Sequence, residues 1–311
     1  MDMIAVSGKI KSLEKKFLTA AETIKLAQVK TFGEFTGMLS GSHYQIPQNI
    51  SGIEELSGFF ENASALFYEE LRKTLPPALY RYFLLKYDFH NLKVISLRKD
   101  GAKEEKIYSV HSAVDYFTMK EAFQSKNYKE IPAYLKPALS AISRIQDEGS
   151  ILLHMKKAYF KTAAGLLKEF ESGFIDDYLR IETDFANIST FIQQEMADTG
   201  KGGAEMFIEG GKIRKEKFSS GEILWGAVNS AYRGAVVTPV TAENYDIERY
   251  KALVNHIKTG RVVPSGIETI FAYFAGRHIE MDNVRRLAEG KFYNVSPDVL
   301  SQWALPPYQY V

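Results

Sequence analysis

The sequence predicts an all-α protein built from three similar helical domains. Two observations carry that expectation. Apolar residues recur every three or four positions along nearly the whole chain, while period-two alternation is scarce. In addition, Asn91, Asn187 and Asn283 sit 96 residues apart twice over (187−91 and 283−187), each in a related stretch: YDFHNLKVISL (87–97), TDFANISTFIQ (183–193) and IEMDNVRRLAE (279–289). A period near domain size points to three small domains rather than a solenoid of short units.

The elements follow from local chemistry, in chain order. The start, MDMIAVSGKIKSLEKKFLTAAE, scatters charges among its apolar residues and does not read as a secretory signal. A helical run then ends at Tyr44 in MLSGSHY (38–44). The stripe Phe59, Ala63, Phe67 and Leu71 runs into Pro76-Pro77, where a missing N–H and the restriction on the preceding residue stop a helix. A new helix starts there and carries the first asparagine stretch. Lys99–Lys106 (KDGAKEEK) reads as a linker, and FQSKNYKEIP (123–132) repeats the tyrosine landmark at Tyr128. Ile151, Met155, Tyr159, Ala163, Leu167 and Phe170 form the next helical stripe, and Ser172-Gly173 separates it from a helix over Phe174–Met196. Asp198–Lys217 reads as a second linker, with a short β-hairpin expected near 204–214 across Met206-Phe207-Ile208. The third tyrosine landmark, VNSAYRGAV (228–236), places Tyr232, and Gly260–Gly266, with Pro264 inside, precedes a helix over Ile267–Gly290. These breaks set domains at 1–105, 106–200 and 201–311.

Each repeated stretch pairs an acid with an asparagine three residues on: Asp88/Asn91, Asp184/Asn187 and Glu280/Asn283. That spacing puts both side chains on one helix face. Apolar residues flank them at matching places, namely Leu92, Ile188 and Val284, then Ile95, Phe191 and Leu287, with Tyr82, Tyr178 and Phe274 six residues before the acid. An amide beside a buried stripe is costly unless paired, so its return in all three copies predicts a specific hydrogen bond to a neighbouring helix or loop. Three acids converging on an axis could instead bind a cation. Buried acid–amide pairs are more often structural ties, and no histidine cluster accompanies these, so the structural reading is preferred.

Other chemistries find little support. Thirty-nine basic against 38 acidic residues leave a formal charge of +1, which argues against a nucleic-acid binder that neutralises phosphates. The absence of cysteine removes thiol nucleophiles, thiolate metal sites and disulfides. Gly210-Gly211-Lys212-Ile213 approaches a phosphate-binding loop but lacks the leading glycine and the hydroxyl. His43, His90, His111, His154, His256 and His278 show no i,i+4 metal spacing, and no serine sits in a Gly-x-Ser-x-Gly elbow. Lys212, Arg214, Lys215 and Lys217 form a basic cluster, interrupted by Glu216, that reads as a solvated loop, with acidic lipid or an acidic partner as the alternative. No run reaches the ~18–20 apolar residues of a membrane-spanning helix. Catalytic, cofactor and metal residues are therefore all expected to be absent.

YDFHNLKVISLRK (87–99), with TDFANI (183–188), MFIEGGK (206–212) and EMDNVRRLAEGKFYNVSP (280–297), resembles the C-type subunit of the rotary V/A-type (vacuolar/archaeal-type) ATPases, the equivalent of the eukaryotic V-ATPase d subunit. MLSGSHY resembles that family's first-domain landmark, so the likeness spans nearly the whole chain in order. The resemblance implies a funnel of three helical domains about a pseudo-threefold axis. It implies a non-catalytic central-rotor subunit on the cytoplasmic end of the membrane proteolipid ring, receiving the foot of the central shaft (D- and F-type subunits) and passing torque between ATP turnover and ion transport. The absence of long insertions leans toward a bacterial or archaeal plasma membrane. Two other readings remain open at this stage: a helical adaptor unrelated to rotary ATPases, and a hydrolase using Asp184 or Glu280 in acid–base chemistry.

Overall fold

A computed structural model describes residues 3–39, 42–47, 49–97, 107–196 and 206–309. The described chain is helical throughout its regular structure. Helices α1 (Met3–Leu13), α2 (Ala20–Gln28) and α3 (Phe32–Met38) open it. Thr19 with Glu22 and Thr31 with Glu34 form reciprocal capping boxes, which satisfy the first free N–H groups of α2 and α3. The long α4 (Ile53–Thr74) stops one residue short of Pro76-Pro77, and α5 (Pro77–Leu97) begins on the second proline.

Next come α6 (Tyr116–Ser125), capped by Asp115, α7 (Lys136–Ile142) and α8 (Glu148–Leu167), capped by Asp147. Glu171, in the left-handed region at φ 47°, turns the chain before α9 (Gly173–Met196). The remaining helices are α10 (Gly221–Ala231), α11 (Tyr245–Arg261), α12 (Ile267–Phe292) and α13 (Pro297–Trp303). The linker expected at Lys99–Lys106 lies outside the described residues, as does the first part of the one at Asp198–Lys217.

The core is centred on α12. Ile270, Phe271, Ala272, Tyr273, Phe274 and Ala275 are buried in succession, so this stretch of the helix is covered on every side. It packs against α1, α3, α4, α9, α11 and α13, while α5 packs on α8 and α9 on α8 and α11. Phe271 of α12 is the hub of the aromatic core: its ring centroid lies 6.0 Å from Tyr82 and 5.6 Å from Phe83 of α5, and 4.9 Å from Tyr178 of α9. Phe274, which the repeat aligns with Tyr82 and Tyr178, faces Phe67 of α4 instead, at 6.1 Å.

The chain is closed by contacts between its two ends. Tyr308 donates to Glu14 Oε1 at 2.8 Å, Gln309 Nε2 to the Glu14 carbonyl at 2.6 Å, and the Gly266 N–H to Ser7 Oγ at 3.2 Å. The buried Lys291 ammonium donates to the carbonyls of Ala27 and Val29, where α2 ends and its carbonyls lack helical partners.

The hairpin expected near 204–214 does not form in the described part of that segment, residues 206–214, which contains no strand. The physical reason is that its backbone hydrogen bonds go elsewhere. The Ile208 N–H and carbonyl pair with Asn187, and the Lys212 and Ile213 N–H groups donate to Asp184. Side chains of α9 thus occupy groups a ladder would have used.

Candidate functional site

Each of α5, α9 and α12 presents its acid and asparagine on one face, and each pair clamps backbone from a distant segment. Asn91 makes a two-way bond with Ser109, accepting from its N–H at 2.7 Å and donating to its carbonyl at 2.9 Å. Asn187 does the same with Ile208, at 2.9 and 2.8 Å. Asn283 repeats it with Leu305, at 2.9 and 3.4 Å. An amide offers one acceptor and a donor in the plane of a peptide, so it imitates one step of a β-ladder.

The acids hold the same segments a few residues further on, or backbone from elsewhere in the chain. Asp88 Oδ1 accepts from the N–H groups of Ala113 at 2.8 Å and Val114 at 3.2 Å, and Oδ2 from the Tyr134 hydroxyl at 3.1 Å. Asp184 takes Lys212 N–H on Oδ2 at 2.9 Å and Ile213 N–H on both oxygens, Oδ1 at 3.1 Å and Oδ2 at 3.3 Å, and Tyr232 donates to Oδ2. Glu280 accepts the Leu18 N–H at 2.6 Å and the Tyr44 hydroxyl at 3.1 Å. The backbone of Gly211 approaches so closely that a Cβ there would lie 1.9 Å from Asp184 Oδ1, so no side chain fits.

The tyrosine landmarks are thereby explained, with one correction. Tyr44 and Tyr232 serve the acids, but Tyr128 bonds Ser143 Oγ at 2.7 Å, and Tyr134 is the residue that serves Asp88. The acid-to-tyrosine separation, 46 residues for Asp88–Tyr134 and 48 for Asp184–Tyr232, was the signal that distinguishes them. In the third unit the tyrosine lies 236 residues before its acid, because the N-terminal segment supplies the partners that following loops supply to α5 and α9.

Burial raises the pKa of all three acids against the hydrogen bonds that pull it down. Asp88 is pushed up to about 7, Glu280 likewise to about 7, and Asp184 upward. Every oxygen of these carboxylates accepts a donor from the chain itself, a backbone N–H or a tyrosine hydroxyl. Among the described residues no three His, Cys, Asp or Glu side chains group as metal ligands. The Gly210-Gly211-Lys212 loop wraps the Asp184 carboxylate, and Lys212 Nζ pairs with Asp177 at 3.1 Å.

A second polar cluster went unread in the sequence. Lys86, Glu182 and His278 are two residues before the three acids, and so repeat at the same period; all three line one cavity of about 150 Å³ between α5, α9 and α12. Tyr82, Tyr178 and Arg249 line it too. The Lys86 ammonium meets His278 Nε2, and Arg249 Nη2 donates to Glu182 Oε1 at 2.6 Å. Burial, then the Lys86 charge, lowers the His278 pKa to about 4, so the imidazole is neutral near pH 7 and accepts from the lysine. His256 and His90 serve locally: His256 bonds the Phe174 carbonyl at 2.7 Å and His90 that of Ile107 at 2.7 Å.

Fold and site together define an internally repeated helical protein whose recurring polar groups fasten the chain to itself. The chain belongs to the ATP synthase (C/AC39) subunit family, which it matches over residues 6–302. It is 25% identical over 329 aligned residues to the C subunit of the A-type ATP synthase of Thermococcus onnurineus (strain NA1), covering 95% of this chain and 88% of that protein. It is accordingly a subunit of the A/V-type ATP synthase class. No helix among the described residues is long and apolar enough to cross a membrane.

Proposed function

We propose that this chain is the central-rotor socket of a rotary V/A-type ATPase, joining the soluble shaft to the membrane proteolipid ring and passing torque without chemistry of its own. The observation that supports this most is the meeting of Lys86, Glu182 and His278 around one cavity. Residues at one repeat position gather at one place when three units surround a common axis, and a shaft transmitting rotation must be seated on such an axis. The partners in this reading are the D- and F-type shaft subunits and the ring, and the site of action is the cytoplasmic face of a bacterial or archaeal plasma membrane. The coupling ion is chosen in the ring.

The clamps give the body the stiffness this role needs. With domains at 1–105, 106–200 and 201–311, the bonds of Asp88 and Asn91 reach from the first domain into the second. Those of Asp184 and Asn187 reach from the second into the third, and those of Glu280 return from the third to the first. Each domain is then tied to the next and the third back to the first, which resists bending of one domain against another under torque.

The chain has no cysteine, which allows a direct test. A single Lys86→Cys substitution, treated with a short bifunctional reagent in the assembled complex, should cross-link to one of the shaft proteins. Cross-linking to the ring alone, or to neither, would contradict the socket.

A further inference from the structure

The third unit departs from the other two at two places beside its clamp. Position 277 is equivalent to 85 and 181 by the 96-residue period. Leu85 and Ile181 are core residues, 0% and 2% exposed, whereas the third unit has Arg277. The residue before the clamping tyrosine is Ala133 in the first unit and Ala231 in the second, whereas the third has His43. Two of three copies thus build the same clamp without a charged or polar group at either position.

These substitutions leave polar atoms unpaired. Arg277 Nε and Nη1 and His43 Nε2 are buried without a hydrogen-bond partner, and they make up three of the four such side-chain atoms among the described residues. A buried guanidinium N–H without an acceptor is costly, and nothing in the repeat requires it. The guanidinium lies over the Tyr44 ring, Cζ 5.5 Å from the centroid, which places it at the clamp. Glu280 lies close enough for the Arg277 charge to lower its pKa, but no hydrogen bond joins the two: its oxygens accept from the Leu18 N–H and the Tyr44 hydroxyl, and Arg277 Nε and Nη1 stay unpaired.

We infer that Arg277 and His43 form an oxyanion subsite in the third unit, taking a phosphate or carboxylate group that the other two units have no means to hold. Arginine supplies charged donors suited to both groups. Burial first, then Arg277 and Lys16, lower the His43 pKa to about 4, so its imidazole is neutral near pH 7 and has one N–H to give. Lys16, exposed and close enough to act on His43, adds positive charge to the approach.

Thermal unfolding of the purified full chain at pH 7.5 tests this, in sodium chloride, inorganic phosphate and acetate at matched ionic strength. The wild type should show a saturable rise of about 2–6 °C in phosphate or in acetate over chloride, the responding anion identifying the group. Arg277→Leu and His43→Ala, which restore the residue types of the other units, should lose that rise, and Arg277→Leu should melt no lower than wild type in chloride. Three results overturn the inference: no anion-specific rise in wild type, a rise that persists in both variants, or Arg277→Leu melting several degrees low in chloride. The last would make Arg277 a structural residue. If Arg277→Leu fails to fold, His43→Ala, altered at a position where the first unit carries an exposed alanine, decides alone.

Discussion

Neutralising the buried acids one at a time should separate two kinds of clamp. Asp88 accepts both backbone N–H groups on Oδ1 and only the Tyr134 hydroxyl on Oδ2. In Asp88→Asn the amide oxygen can keep both N–H groups while the amide nitrogen donates to the tyrosine, whose hydroxyl reverses its role. Glu280→Gln works the same way, with its oxygen toward Leu18 N–H and its nitrogen toward Tyr44. Asp184 differs, because Lys212 N–H sits on Oδ2 while Ile213 N–H reaches both oxygens, Oδ1 at 3.1 Å and Oδ2 at 3.3 Å. With its oxygen at the Oδ2 place an asparagine keeps an acceptor for both N–H groups, but its NH₂ then faces the Ile213 N–H; turned round, the NH₂ faces the Lys212 N–H. An unsatisfied buried donor costs about 1–3 kcal/mol, so Asp184→Asn should fall that far below wild type while Asp88→Asn and Glu280→Gln stay within about 1 kcal/mol. Urea unfolding, read from the midpoint at constant slope, measures all three. Equal losses, or Asp88→Asn as the costliest, would refute the assignment of donors to oxygens.

The remaining expectations use the same geometry. Because burial raises Asp88 from 3.8 and Glu280 from 4.5, each to about 7, the folded chain holds more protons there than the unfolded chain between those values. Their contribution to stability is therefore greatest in acid, falls as pH rises toward about 7 and is flat above it, and Asp88→Asn with Glu280→Gln should remove that part of the measured slope. Gly211→Ala should be strongly destabilising, since its Cβ would strike Asp184 Oδ1, whereas Gly226→Ala in α10, with nothing within 4 Å, should gain about 0.5–1 kcal/mol. Asn187→Leu strips both partners from the buried Ile208 peptide groups and should lose about 2–4 kcal/mol in urea unfolding and weaken assembly of the complex. Wild-type stability and assembly would show that this asparagine is dispensable.

What the sequence made legible was chiefly local chemistry. Pro76-Pro77 and the Gly260–Gly266 segment mark helix ends because they change what the backbone can do within a residue or two, and α4, α5 and α12 begin or end there. The asparagines stood out because a costly amide recurred. Their partners did not, because any loop can supply a peptide N–H. The hairpin expected near 204–214 read an apolar run flanked by glycines, yet over its described part, 206–214, side chains of α9 outcompete a second strand for the backbone. The closure of the third clamp by Leu18 and Tyr44 joins positions 262 and 236 residues apart, which no local pattern encodes. Lys86, Glu182 and His278 escaped notice for another reason: they share a period but no chemistry, and only their meeting at one cavity reveals the equivalence.

The central claim is that this chain lies between shaft and ring. Affinity purification of the tagged chain from detergent-solubilised membranes of its own cells tests it most directly. Recovery of both shaft proteins and the proteolipid ring in fixed proportion is the expected result. Recovery of neither, from membranes that contain the intact ATPase, would contradict it.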